Sequence, residues 1–332
     1  MDRLDIQQTA TAQPPIPATL VKHRTGRVET LRSNVRKSWQ LYAMLFLPLV
    51  WLAIFAYIPM WGAQIAFRNY VPAGGFAGIS SAEWIGFDHF QRFFNSYNFW
   101  PILRNTLVLN LYSLIAGFPL PIILALALNY AASRWFRKTV QMVSYAPYFI
   151  SVVVMVGILF QLLASGGMIN NLLGLFGVDP IPFMAKPEYW KSIYVWSGIW
   201  QTVGFSCIIY LAALAGIDPT LHEAAILDGA NKLQRMRDID LPGIMPVAII
   251  LLILNMGSLL STGFEKVILM QNALNRSTSE VIDSYVYWVG LGSDIPQFAY
   301  AAAIGLFKSV VGLILLYSVN LLSRRLQGAS LW

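Results

Sequence analysis

Six long apolar runs constrain this chain more than any other feature of its sequence. They fall at about residues 41–66, 103–131, 140–165, 192–214, 246–267 and 297–322, and each approaches or exceeds the ~20 residues that a helix needs to cross hydrocarbon. Only helices and closed barrels satisfy every backbone polar group inside a bilayer, and runs of this length are too long for barrel strands. The expected fold is therefore an all-α integral membrane protein with six transmembrane helices. Composition agrees: 57% of the 332 residues are hydrophobic and 12% charged, about half the charged share of a soluble domain. The single cysteine, Cys207, lies within an apolar run, which excludes an intrachain disulfide and a Cys-rich metal site.

The net charge of +7 has its cause in topology rather than nucleic acid, because the bases sit between apolar runs instead of on one soluble face. Fifteen of the 23 Lys and Arg fall in the amino-terminal tail, the second and fourth connecting loops and the carboxyl tail; six fall in the other three loops. The excess predicts that both termini are cytoplasmic. Residues 1–38 read as a basic, polar tail. No apolar run opens the chain, so no cleavable signal peptide is expected. Residues 39–328 read as one six-helix transmembrane domain. The first outer loop is rich in rings (Trp84, Phe87, Phe90, Phe93, Phe94, Tyr97, Phe99, Trp100), for which an interfacial belt is the simplest reading.

A different kind of sequence occupies residues 216–245. Asp218 followed by Pro219 is a helix start, with a side-chain acceptor at the N-cap and a ring that fits N1. That helix is expected to break at Gly229, and a second short helix over residues 231–239 to stop before Pro242. Ala224, Ala225, Gly229 and Ala230 keep one side thin enough for another protein to approach. A solvated connector would use the same residue types, and local physics leaves both readings open.

Glu223-Ala224-Ala225, then Asp228-Gly229, then Ile239 and Leu241-Pro242 resemble the EAA loop of permeases of binding-protein-dependent ABC importers. Trp84-Ile85-Gly86-Phe87, Arg104-Asn105-Thr106-Leu107, Trp200 with Gly204-Phe205, and Phe298 to Ala303 are similar to stretches of the sugar branch of that family. Within it, the chain is similar to polysaccharide-type permeases, the first membrane subunit of an alginate importer among them. The resemblance implies a MetI-like permease that moves a carbohydrate, an oligo- or polysaccharide, across the bacterial inner membrane by alternating access. It implies as partners a second homologous permease subunit, two cytoplasmic ATPase subunits and an external solute-binding protein. Glu223, Ala224, Ala225, Asp228, Gly229, Ile239, Leu241 and Pro242 would couple to the ATPases. ATP and Mg would be bound by those partners: this chain has no Gly-Lys dipeptide, hence no P-loop. No cofactor, metal or catalytic residue of its own is expected.

Polar residues within the apolar runs are the candidates for a substrate path. Lys308 stands near the middle of the sixth, beside a small-residue stripe of Ala301, Gly305 and Ser309. It either lines the path or pairs with Glu265 at the end of the fifth. The resemblance marks the stretch from Gly263 to Val267 as substrate-facing, although the family often has Asn where this chain has Glu265. Trp200, Gln201 and Asn255 complete the set. Two rival functions are weaker. An ion-coupled secondary transporter has no use for the EAA loop, and a membrane glycosyltransferase or hydrolase needs a carboxylate pair or a His cluster. The histidines, His23, His89 and His222, lie on separate segments.

Overall fold

The computed structural model describes residues 38–327. The basic tail expected over 1–38 lies, Ser38 apart, outside the described residues. Apart from one isolated bridge between Arg68 and Trp84, every regular element among them is helical. Six helical stretches are long and apolar enough to span a membrane: Trp39–Phe67, Phe99–Asn129, Val152–Gly174, Pro187–Ala215, Lys232–Gly257 and Phe298–Arg324. They are called the first to sixth spans below.

The chain forms two compact units, one ending at Trp61 and one beginning at Gly62. In the first, helix Trp39–Leu52 runs into a π-turn, Ala53–Tyr57. The turn has a cause in Pro59. A proline ring has no N–H and crowds the carbonyl four residues back, and the residue before it, Ile58, bonds back five residues to Ala53 instead of four.

The second unit holds the other spans. One core cluster joins Ala125, Leu126 and Leu128 of the second span to Cys207, Tyr210 and Leu214 of the fourth and to Ile244 and Ala248 of the fifth. A second cluster gathers Leu109, Val156, Trp190, Val195, Val267 and Met270. The aromatic first loop divides: Trp84, Phe87, Phe94, Tyr97 and Trp100 are exposed, as an interfacial belt requires, whereas Phe90 and Phe93 are buried. Phe93 packs on Phe99, Tyr300 and Phe307. The expected belt thus covers only part of the loop, because the rest completes the core around the sixth span.

Three boundaries differ from the sequence expectation. The third run, 140–165, is not one helix: Arg134–Tyr145 ends in a 3-10 turn at Ala146–Phe149, and a new helix starts at Val152 behind the N-cap Ser151. Pro147 lies in that turn. The fifth run, 246–267, ends early at Gly257, where the sixth span crosses so closely that a Cβ would sit 2.4 Å from Leu316 Cδ1. A separate short helix, Phe264–Met270, follows. At its other end the fifth span begins at Lys232, since the helix expected to stop before Pro242 continues through it. A π-turn at Met236–Asp240 takes up the proline, and the Leu241 N–H bonds back five residues to Met236, as Ile58 does before Pro59.

Candidate functional site

The segment between the fourth and fifth spans is built from local hydrogen bonds. Asp218 Oδ1 accepts from the Thr220 N–H at 3.0 Å, and Pro219 opens the helix that ends at Leu227. Those bonds hold the fully exposed Asp218 carboxyl below its ordinary range. At the other end, the Ala230 N–H bonds to the Ala225 carbonyl and the Gly229 N–H to that of Ile226, the paired bonds of a Schellman cap. Gly229 supplies the left-handed residue of that cap at φ +80°, with open space where a Cβ would stand. Asn231 and Gln234 then form a reciprocal capping box.

The resulting helix, Pro219–Leu227, presents Leu221, Glu223, Ala224, Ile226 and Leu227 to the outside, with Leu227 at 89% exposure. Asp228, Gly229 and Pro242 are exposed too, while Ala225, Ile239 and Leu241 are half-buried. Leu241 packs into the core beneath. The sequence-predicted coupling residues therefore divide into an outward helix face and an inward anchor. One residue that sequence reasoning passed over lies between them: Asp240, 1% exposed, bonded by the Tyr130 hydroxyl at 2.5 Å.

A second polar assembly lies among the spans. Lys308 Nζ donates to Asp283 Oδ1 at 2.5 Å. Asp283 Oδ2 accepts from the Thr262 N–H at 2.7 Å, Thr262 Oγ1 from Asn110 Nδ2 at 2.8 Å, and the same Asn110 amide reaches the Thr106 carbonyl. Thr106 Oγ1 in turn accepts from the Ile282 N–H. This chain of bonds ties the second span, the turn after the fifth, helix Ile282–Gly290 and the sixth span together. Glu265, the partner expected for Lys308, is exposed and forms no ion pair among the described residues. Asp283 takes that place because Ile282–Gly290 folds back on the sixth span, with Gly290 against Ala301 of the small-residue stripe. The sequence signal was a lone acid in the apolar stretch Val281 to Val289, which lies outside the six long runs.

A cleft of about 740 Å³ opens between the second, fourth and fifth spans. Asn255 lines it together with Asn110, Ser113, Thr202, Ser206 and Ser258, and no carboxylate does. Trp200, Gln201, Gly263 and Glu265 are not part of its wall. Gln201 instead donates to the Ile150 carbonyl at 2.8 Å, satisfying a group freed by the break in the third run. Gly263 precedes helix Phe264–Met270, near the Tyr194 hydroxyl. Lys308 lines a separate, smaller cleft with Ser261 and Ser309. Beside the large cleft, Lys266 is buried, its ammonium 2.9 Å from the Tyr194 carbonyl and over the Tyr194 ring. The wall of hydroxyls, amides and rings suits holding a polar solute.

Comparison with known proteins agrees with this geometry. The family described as binding-protein-dependent transport system inner membrane component matches residues 117–328. The polygalacturonan/rhamnogalacturonan transport system permease protein YteP of Bacillus subtilis is 42% identical over 96% of this chain and 98% of its own. Protein LplB of the same organism is 41% identical over 87% and 90%. A chain in the crystal structure of a bacterial ABC transporter involved in the import of the acidic polysaccharide alginate superposes with a TM-score of 0.82 at 39% identity, covering 90% of this chain and 99% of that one. With six spans, the capped helix between the fourth and fifth, and similarity along nearly its whole length, the chain belongs to the binding-protein-dependent inner membrane components, as a multi-pass permease subunit.

Proposed function

We propose that this chain is one of two related permease subunits of an ATP-driven importer that carries acidic oligo- or polysaccharides across the inner membrane. The observation that carries the reading is the exposed helix Pro219–Leu227, capped at both ends and bearing the Glu223-Ala224-Ala225 triplet that opens the EAA signature. In this reading the helix docks on a cytoplasmic ATPase, ATP and Mg are bound there rather than here, and both termini face the cytoplasm. An external solute-binding protein delivers the sugar, as in the alginate transporter solved with an alginate pentasaccharide-bound periplasmic protein. Support for an acidic cargo comes from relatives named for polygalacturonan and for alginate, from a cleft without carboxylates, and from the Lys266 ammonium beside it. The ion-coupled alternative has no observation in its favour.

The test is reconstitution with both ATPases, the second permease and the binding protein in liposomes. Oligogalacturonate or alginate oligosaccharide should stimulate ATP hydrolysis and accumulate inside, and neutral maltooligosaccharide should not. Stimulation by neither acidic sugar overturns the cargo, and absence of any ATPase association overturns the importer reading. Orientation is checked by single-cysteine labelling in a Cys207→Ser background: Arg276→Cys should react from outside, Arg134→Cys and Arg235→Cys only from inside. The reverse pattern overturns the topology.

A further inference from the structure

At the root of the coupling segment, three elements meet on one buried carboxylate. Asp240 closes the π-turn near the start of the fifth span, and its side chain is 1% exposed. Oδ2 accepts from the hydroxyl of Tyr130, the residue that caps the second span just beyond its end, at 2.5 Å. Oδ1 stands 3.2 Å from Nε2 of His222, on the outward helix one residue before Glu223. That second approach is inside ion-pair distance but off the line of a good hydrogen bond, and Oδ1 has no other partner. The Arg235 guanidinium lies over the Tyr130 ring, 5.8 Å from its centre.

We propose that Asp240 is the joint through which displacement of helix Pro219–Leu227 moves the second and fifth spans together. A buried carboxylate is costly to leave without donors, so wherever it goes its donors are held to it. The Tyr130 link is fully made. Burial first, then the bond to Asp240, pushes the Tyr130 hydroxyl up to about 12, which keeps its proton in place as donor at any cellular pH. The His222 link is only half made. It is the side of the joint that can tighten or slacken when the helix shifts on its partner, and the charge makes that change consequential. Asp240, Tyr130 and His222 are thus positioning residues for coupling; none needs to touch sugar or nucleotide. The proposal rests on the importer reading above.

The test uses the complete reconstituted importer, with Tyr130→Phe, His222→Phe and Asp240→Asn, and reads sugar moved per ATP hydrolysed. Tyr130→Phe removes one oxygen, and Asp240→Asn keeps the volume and one acceptor, so assembly should persist, checked by copurification of the ATPases. Each variant should lower the transport-to-hydrolysis ratio by about fivefold or more, the lower range of a typical coupling between sites. Tyr130→Phe combined with His222→Phe should lose less than the product of the two singles, because both act through one carboxylate. A fall of transport and hydrolysis in proportion means that the cluster only supports the local fold, which overturns the joint. An unchanged ratio in all three variants overturns it equally. If the wild-type chain binds no ATPase, it is the importer reading that fails; if the wild type couples and the variants couple as well, only the joint does.

Discussion

The capped segment after the fourth span and the Lys308 cluster are both polar features of an apolar chain, yet they are held by opposite means. In the first, every bond that shapes the helix and its exit spans six residues or fewer: Asp218 to Thr220, Ala230 to Ala225, Asn231 to Gln234. In the second, every bond but the one from Asn110 to the Thr106 carbonyl joins residues 21 to 176 positions apart, from Thr262 and Asp283 to Thr106 and Ile282. A locally capped helix keeps its shape while it moves as a body, which suits an element that transmits force. A cluster with one donor or acceptor from each of several spans exists only while those spans hold one arrangement, so it reports on the arrangement and resists its change.

The largest effect should come from breaking the long-range side. Lys308→Met leaves the half-buried Asp283 carboxylate without its cation; losing one partner of a fully buried pair costs about 3–5 kcal/mol, and the partial exposure of both groups brings this one below that range. Thermal unfolding of the purified complex should show the loss. The double change Lys308→Met with Asp283→Asn should recover much of it, since neither charge then remains. Lack of recovery would mean that Lys308 acts on something other than Asp283. Transport by the double variant separates structure from function: if stability returns and transport does not, the pair belongs to the path.

A smaller effect is expected on the local side. Gly229→Val places a β-branched residue at φ +80°, where a side chain costs roughly 1–2 kcal/mol. No described residue stands within 4 Å of the added Cβ, so the damage should be to the angle of the turn and to docking. ATPase copurification should fall while thermal stability of the permease barely changes, and Gly229→Asn should be milder because Asn tolerates this region. Loss of stability comparable with that of Lys308→Met would erase the distinction between the two regions.

The smallest effect belongs to Asp218→Ala, which removes one exposed cap. Faster hydrogen exchange at the Thr220 amide should be its main sign. Because the folded carboxyl titrates below its ordinary value of 3.8, the cap contributes fully above that value and is lost as pH falls through the lower folded one. Exchange at Thr220 in the wild type should therefore stay protected at neutral pH and approach the variant's behaviour only in acid. Protection that instead fails near neutrality would assign the cap to another group.

Much of this was open to reading in residue order, and the line runs where physics changes range. Runs of apolar residues, Asp218-Pro219, Gly229 and the spacing from Glu223 to Pro242 act over a turn or two of chain, so six spans and a capped helix followed from the sequence alone. The π-turn before Pro242 did not, because a proline can either stop a helix or, as before Pro59, be taken up in a widened turn, and residue order does not choose between the two. The partner of Lys308 and the burial of Asp240 were likewise beyond the sequence. Opposite charge names many possible mates for an ammonium, and Glu265 lay within the expected fifth span; which acid is chosen depends on Ile282–Gly290 folding back on the sixth span and bringing Asp283 there.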